Sequence, residues 1–169
     1  MEGFIINTLD LVGENVVNET QMDIAEIQHR LRQRYPFLLV DRILKVEPMK
    51  LVIGYKNLTI NEAVFVGHFP DEPIFPGVMI IESMAQVGAM MFNNQMNGYL
   101  AGINKAKFLK FVQPGDQLQT EAHFIQQTGN FAKVNLVGTV KGQTVAKAEV
   151  TYYFKPVENI KDKIVDVNI

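Results

Sequence analysis

A histidine and a glutamate are the side chains of this sequence best suited to acid–base chemistry. His68 lies in the segment GHFP, and Glu82 follows it by fourteen residues within an apolar run. Imidazole exchanges protons near neutral pH, and a carboxyl group removed from water can keep its proton, so the pair could act as base and acid. Each residue also has an ordinary interpretation. A histidine in a proline-rich loop is often a capping or surface residue, and a buried glutamate can be a structural hydrogen-bond partner.

A helix is expected to position Glu82. Pro76 followed by Gly77 predicts a helix that begins at Pro76, since proline lacks the N–H that would be unpaired there. Nearly every residue of 78–92 is apolar or small, so this helix either spans a membrane or is surrounded by protein. Glu82 and Gln86 on one side argue against a membrane. We therefore expect a buried Glu82, and because a lone buried carboxylate is costly, catalysis is the most economical reason for it.

The distance between the two residues is a difficulty for this interpretation. His68 precedes the helix, whereas Glu82 lies roughly 9 Å along it from Pro76, at a rise of about 1.5 Å per residue. Either the loop folds back onto the helix, or a second subunit supplies one of the two side chains.

Three segments resemble the bacterial 3-hydroxyacyl-[acyl-carrier-protein] dehydratase of type II fatty-acid synthesis. They are RYPFLLVDRI (Arg34–Ile43), NLTINEAVFVGHFPDEPIFPGVMIIESMAQ (Asn57–Gln86) and KFLKFVQPGDQL (Lys107–Leu118). The resemblance extends from about Met22 to Phe154, and GHFP followed at fourteen residues by a glutamate is its most specific part. A related dehydratase that also isomerises the double bond generally has aspartate at the acid position, so Glu82 favours the non-isomerising branch.

The resemblance implies an α+β protein with the hot-dog fold, in which an antiparallel sheet wraps a long central helix. It also implies a homodimer in which two sheets become one and His68 of one subunit faces Glu82 of the other, with three dimers forming a hexamer. Residues 22–169 would form the single domain. Residues 1–21 would be an N-terminal extension, either mobile or docked on a neighbour.

The reaction implied is dehydration of a (3R)-3-hydroxyacyl group on acyl carrier protein to the trans-2-enoyl thioester, with no cofactor. His68 would be the base and Glu82 the acid. The Gly77 N–H at the helix start would stabilise the thioester oxygen, and Gln86 would orient Glu82. Candidates to line a substrate tunnel are Phe75, Met79 and Met84. Candidates to contact the acidic carrier, each equally interpretable as solvated surface, are Arg30, Arg32, Lys105, Lys107 and Lys110.

Two other functions stay open. A hot-dog thioesterase would use a similar carboxylate to activate water, and a non-catalytic acyl-carrier binding module would use neither residue. The sequence also departs from the family pattern, with Arg32 and Gln33 in place of a common Pro-His pair and Asp71 where glycine is common. Because of these changes, the resemblance implies no detail for the substrate-tunnel mouth or for the N-terminal hinge.

Composition excludes several other classes. The chain of 169 residues has a one-domain length, and its lack of cysteine excludes disulfides and thiol nucleophiles. A net charge of -2 gives no electrostatic reason for binding nucleic acid. The histidines share no metal-ligand spacing with Glu82, so we expect no metal. The apolar run Phe4–Ile6 is too short for a signal peptide or a membrane span, which predicts a cytoplasmic protein.

Hydrophobic periodicity and turn residues predict the remaining elements. A short amphipathic helix is expected over 23–32, and asparagines 93, 94 and 97 with Gly98 are expected to end the central helix. The last two strands alternate clearly, which predicts one apolar face that the helix covers. The predicted strands, of which the last four would form a meander, are 42–46, 51–60, 103–112, 117–126, 132–140 and 144–154.

Overall fold

The computed structural model describes residues 21–92 and 96–156. The predictions for the N-terminal extension up to residue 20, for Asn93 and Asn94 and for the tail from residue 157 lie outside these ranges. The elements in chain order are α1 (Ile24–Arg30), β1 (Arg42–Glu47), β2 (Leu51–Asn57), a 3₁₀ helix (Ala63–Val66), α2 (Gly77–Ala89), β3 (Met96–Phe108), β4 (Gln117–Thr128), β5 (Phe131–Val140) and β6 (Gln143–Pro156).

The six strands form one antiparallel sheet with the order β1-β2-β4-β5-β6-β3. The six predicted strands are confirmed, but the predicted meander is wrong because β3 pairs with β6 and does not pair with β4. The alternation and turn residues that predicted β3 fit either neighbour, so they do not fix its partner. In the structure β3 forms the edge of the sheet opposite β1, and α2 packs across the sheet from β2 to β3.

The central helix lies against one face of this sheet, as predicted. Alternate residues of β5 and β6, including Val134, Leu136, Val150 and Tyr152, are buried beneath it. Gly88 permits a close approach, because a Cβ atom there would lie 2.6 Å from the Tyr152 hydroxyl. The structure confirms the α+β class and the hot-dog arrangement of a helix wrapped by an antiparallel sheet.

Both ends of α2 differ from the prediction by a few residues. Pro76 is the N-cap and Gly77 is the first helical residue. At the other end, the amides of residues 90–92 bond to carbonyls three residues earlier, so the helix tightens and stops after Ala89. Asn97 and Gly98, predicted to end the helix, belong instead to β3. No helix in the described ranges is long and apolar enough to cross a lipid bilayer.

Candidate active site

His68 lies in the loop between the 3₁₀ helix and α2, where backbone contacts hold it. Its amide donates to the Val64 carbonyl at 3.0 Å, and its own carbonyl accepts from the Ile74 amide at 3.0 Å. Its ring Nδ1 lies 2.9 Å from the Ile74 carbonyl oxygen. A carbonyl only accepts, so Nδ1 carries the hydrogen of this bond and the neutral ring keeps the Nε2 lone pair free. The loop thus presents His68 in the form that a general base requires.

A buried cation holds the start of the 3₁₀ helix that leads to this loop. Lys56 is only 8% exposed, and its ammonium lies 2.8 Å from Glu62 and 3.4 Å from Asp41. Asp41 also accepts from the Asn57 amide at 2.6 Å. Because Glu62 is the N-cap of the 3₁₀ helix, these ion pairs fix the base of the His68 loop to β2.

Gly77, a partly buried residue, begins α2 with an unpaired backbone donor. The amides of Met79 and Ile80 bond to the Pro76 carbonyl, but the Gly77 N–H has no acceptor among the described residues. A Cβ at this position would lie 2.9 Å from the Phe108 ring, so a larger residue would displace that ring. The unpaired N–H and the positive end of the helix dipole together favour a developing negative charge here.

Glu82 is held through Gln86, one turn later on α2. Gln86 accepts from the Leu39 amide at 2.7 Å, and its amide nitrogen donates to the Phe37 carbonyl at 2.8 Å and to Glu82 Oε1 at 2.9 Å. Ser83 adds a bond to the Leu39 carbonyl at 2.7 Å. With the Gln86 amide fixed by two backbone groups, its NH₂ must face Glu82. Oε2 of Glu82 has no hydrogen-bond partner within the described chain, so this oxygen stays available to a ligand.

Glu82 lines a cavity of about 600 Å³ between α1, α2 and the start of β3. Its inner wall is mostly apolar, and the Tyr152 phenol in it donates to the Ala85 carbonyl at 2.6 Å. Burial, and then the charge of Glu82, raise the pKa of Tyr152 above its ordinary value of 10.0. Because it faces this cavity, Glu82 is only partly buried in the single chain, and its expected burial across a subunit boundary stays a prediction.

The single chain does not bring the two predicted catalytic residues together. His68 is absent from the cavity lining, and within the described ranges no hydrogen bond or ion pair joins it to Glu82. The difficulty that the sequence raised is therefore real, and the pairing of His68 with Glu82 stays a prediction. No cluster of three or more metal-binding side chains occurs in the part of the chain that the structure describes.

The three tunnel candidates lie elsewhere in the chain. Phe75 is buried against Phe65 with ring centroids 6.2 Å apart, and Met84 is buried facing Gly138 on β5. Met79 is partly buried, and none of the three lines the Glu82 cavity. Their role stays a prediction. Tyr99, which also lines the cavity, was not predicted as a site residue, because it lies between the expected end of the helix at Gly98 and the predicted strand that begins at residue 103.

Comparison with known proteins identifies the family. Residues 31–149 match the FabA-like domain. The chain is 44% identical over 136 residues to the 3-hydroxyacyl-[acyl-carrier-protein] dehydratase FabZ of Geobacillus thermodenitrificans, a match that covers 78% of this chain and 94% of the relative. It is 47% identical over 139 residues to the FabZ of Clostridium botulinum strain Loch Maree, covering 79% of this chain and 96% of the relative.

Solved structures agree on the fold. The dehydratase heterocomplex ApeI:P from Xenorhabdus doucetiae superposes with a TM-score of 0.65 at 15% identity, covering 83% of this chain and 97% of that one. An uncharacterized protein, PH1136 from Pyrococcus horikoshii, gives a TM-score of 0.60 at 15% identity, covering 77% and 92%. The sequence matches span both His68 and Glu82, and this chain belongs to the FabZ family of 3-hydroxyacyl-[acyl-carrier-protein] dehydratases.

Proposed function

We propose that this chain dehydrates (3R)-3-hydroxyacyl-[acyl-carrier-protein] to trans-2-enoyl-[acyl-carrier-protein] in type II fatty-acid biosynthesis. The observation that carries the proposal is its identity, above 40% over most of the chain, to FabZ dehydratases in a region that contains His68 and Glu82. The geometry of each residue supports its role. His68 presents a free Nε2, and Glu82 presents a free Oε2 at the wall of a cavity large enough for an acyl chain.

In the proposed reaction, His68 Nε2 takes a proton from C2 of the substrate, next to the thioester. The C–H electrons form the C2–C3 double bond, the C3–O bond breaks, and protonated Glu82 gives its proton to the departing hydroxyl, which leaves as water. Return of the proton from His68 to Glu82 restores the starting state. Protons alone are transferred, so the reaction needs no cofactor.

Negative charge develops on the thioester oxygen as C2 loses its proton. The Gly77 N–H is the donor best placed to receive it, because it is unpaired and lies at the positive end of α2. Gln86 holds Glu82 through a contact fixed by the backbone of residues 37–39. We assign Gln86 a positioning role, since it reaches the substrate only through Glu82.

Pairing of two β3 strands would bring the two halves of the site together. β3 is an edge strand of thirteen residues with exposed apolar side chains, including Ile103 at 49% and Phe108 at 51%, and such an edge readily pairs with another strand. Phe108 at its end covers Gly77 beside the His68 loop, whereas Tyr99 near its start lines the Glu82 cavity. Antiparallel pairing about a two-fold axis sets the end of one β3 against the start of the other. The His68 side of one subunit then faces the Glu82 side of the other.

The proposed assembly is therefore a homodimer with two shared sites, and three such dimers would form the hexamer that the family resemblance implies. The partner protein is acyl carrier protein, which forms part of the name of the FabZ relatives. We place the activity in the cytoplasm, where that carrier would be loaded.

Hydration of crotonyl thioester, the reverse reaction, tests the proposal directly. The wild type should consume the conjugated thioester, which is followed by its absorbance, whereas His68→Ala and Glu82→Gln should each lower kcat by at least about a hundredfold. Circular dichroism checks that both variants are folded. Equal rates in all three proteins would support a non-catalytic binding module, and release of free thiol and acid, detected by mass spectrometry, would support a thioesterase.

A further inference from the structure

The cavity that holds Glu82 is divided into an apolar interior and a cationic rim. The inner wall includes Ala89, Met90, Phe92 and Phe154, which offer no charge. The end of α1 and the segment after it form the rim, and the charged residues of the rim are Arg30, Arg32 and Arg34. Glu82 contributes a carboxylate to the cavity lining. A cavity of this kind suits a ligand with an apolar end and an anionic end.

The three arginines differ in how many of their donors are already used. Arg34 donates to the carbonyls of Leu31, Gln33 and Gln28, so it caps the end of α1. Arg30 pairs with Glu26 one turn earlier on α1 at 3.5 Å. These two guanidinium groups therefore have structural partners.

Arg32 is exposed and keeps most of its donors free. Its Nη1 donates to the Tyr99 hydroxyl at 3.1 Å, and its guanidinium carbon lies 5.8 Å from the centroid of the Tyr99 ring. Within the described ranges Arg32 has no carboxylate partner. A guanidinium offers five N–H donors in a planar fork, so four remain for a ligand while Tyr99 fixes the direction in which the fork points.

We propose that Arg32 binds the phosphate of the phosphopantetheine arm at the mouth of the Glu82 cavity. The inference rests on the proposed function, because that function supplies a substrate with an apolar acyl end and a single anionic group on the arm. With the 3-hydroxyl at Glu82 and the acyl chain against the apolar wall, the arm leaves past the cationic rim. Planar guanidinium matches phosphate oxygens by paired hydrogen bonds.

Three crotonyl thioesters test whether Arg32 recognises the phosphate or another part of the substrate. They are the N-acetylcysteamine thioester, which has no phosphate, the 4′-phosphopantetheine thioester, which has the phosphate without the protein, and the acyl carrier protein thioester. Arg32→Ala should raise KM about tenfold for the second and third, as expected for loss of a charge-assisted hydrogen bond, and leave KM for the first unchanged. Because Arg32 would hold the phosphate and not the reacting atoms, kcat should change little, and Arg32→Lys should keep part of the affinity.

Arg42→Ala is the matched control, since Arg42 is also exposed but does not line the cavity. It should leave KM unchanged for the phosphopantetheine thioester. A rise in KM confined to the carrier-protein thioester would show that Arg32 contacts acidic residues of the carrier, and it would overturn the phosphate assignment. Equal KM values for wild type and Arg32→Ala with all three substrates would also overturn the phosphate assignment. The same holds if Arg32→Ala raises KM equally for all three.

The failure of the proposed function has a different signature. A wild type that does not hydrate even the N-acetylcysteamine thioester would contradict the dehydratase assignment, whatever Arg32 binds. Calorimetry with phosphopantetheine that carries no acyl group then tests Arg32 without turnover. Binding that weakens about tenfold in Arg32→Ala supports the phosphate site, and equal binding by both proteins overturns it.

Discussion

At the scale of single residues, two buried hydroxyl groups in the core differ in whether they have a partner. Ser83 Oγ donates to the Leu39 carbonyl at 2.7 Å, whereas the buried Thr120 Oγ1 has no hydrogen-bond partner among the residues that the structure describes. We expect Thr120→Val, which replaces the hydroxyl by a methyl of similar size, to raise the free energy of unfolding by about 1 kcal/mol. Ser83→Ala should lower it by about 1 kcal/mol because the Leu39 carbonyl loses its donor. Urea unfolding measures both, and a Thr120→Val protein less stable than the wild type would contradict the prediction.

Tyr152 gives the protein a predictable response to alkaline pH. Burial first, and the charge of Glu82 second, raise its pKa in the folded state above the ordinary 10.0. Below pH 10 the phenol is neutral in both states, but above it the unfolded chain ionises while the folded chain keeps its proton. Stability is therefore lost as the pH rises above 10, by up to about 1.4 kcal/mol per pH unit from this group.

Tyr152→Phe separates this effect from other alkaline titrations. The variant should be less stable than the wild type near neutral pH by about 1 kcal/mol, since it lacks the 2.6 Å bond to the Ala85 carbonyl. Because phenylalanine cannot ionise, the difference should shrink as the pH rises above 10. Urea unfolding at several pH values measures it, and a difference that stays constant to pH 11 would show that Tyr152 does not carry the effect.

At the scale of elements, the distance between α2 and β6 depends on a glycine. A Cβ at Gly88 would lie 2.6 Å from the Tyr152 hydroxyl and 3.2 Å from Leu136 Cδ2. Gly88→Ala should therefore lower stability by about 1–3 kcal/mol, although alanine has the better helix propensity. Tyr152→Phe removes the hydroxyl that lies nearest to this Cβ, so in that background Gly88→Ala should lower stability by clearly less. Equal costs in the two backgrounds, measured by a double-mutant cycle, would mean that the hydroxyl does not limit the packing.

The elements themselves could largely be predicted from the sequence, because their signals are local. The alternation of β5 and β6 and the Pro76-Gly77 helix start each depend on neighbouring residues. The partner of β3 could not be predicted in this way, since its strand pattern is the same whether it lies beside β4 or β6. The early end of α2 was also missed, because residues 90–92 stay apolar in the core after the helix has tightened and stopped.

The site shows the same division between local and distant information. The residue types and spacing of His68 and Glu82 indicated acid–base chemistry, and the family resemblance assigned the reaction. The contacts that hold Glu82 join Gln86 to Phe37 and Leu39, which lie more than forty residues earlier. The Arg32–Tyr99 contact at the cavity rim likewise spans 67 residues. No local pattern reports contacts of that range, so they required the structure.

At the scale of the whole molecule, the single chain contains the two proposed catalytic groups, His68 and Glu82, without bringing them together. Gly77, which follows the His68 loop, lies against Phe108 at the end of β3. Glu82 lines the same cavity as Tyr99, which lies near the start of β3. The two groups thus lie toward opposite ends of one exposed edge strand. A two-fold axis across that edge is the simplest operation that superposes one end on the other, and it generates two equivalent sites.

Shared sites predict that two inactive variants restore each other. In a dimer of His68→Ala with Glu82→Gln, one site combines the intact His68 and the intact Glu82, and the other site has neither. Random pairing after co-expression should give about one quarter of the wild-type specific activity in crotonyl thioester hydration. The matched control is His68→Ala co-expressed with the double variant His68→Ala/Glu82→Gln, which forms no complete site and should stay inactive. If the first mixture is no more active than its separate parents although mixed dimers are present by native mass spectrometry, each site draws both residues from one chain and the β3 pairing proposed here is wrong.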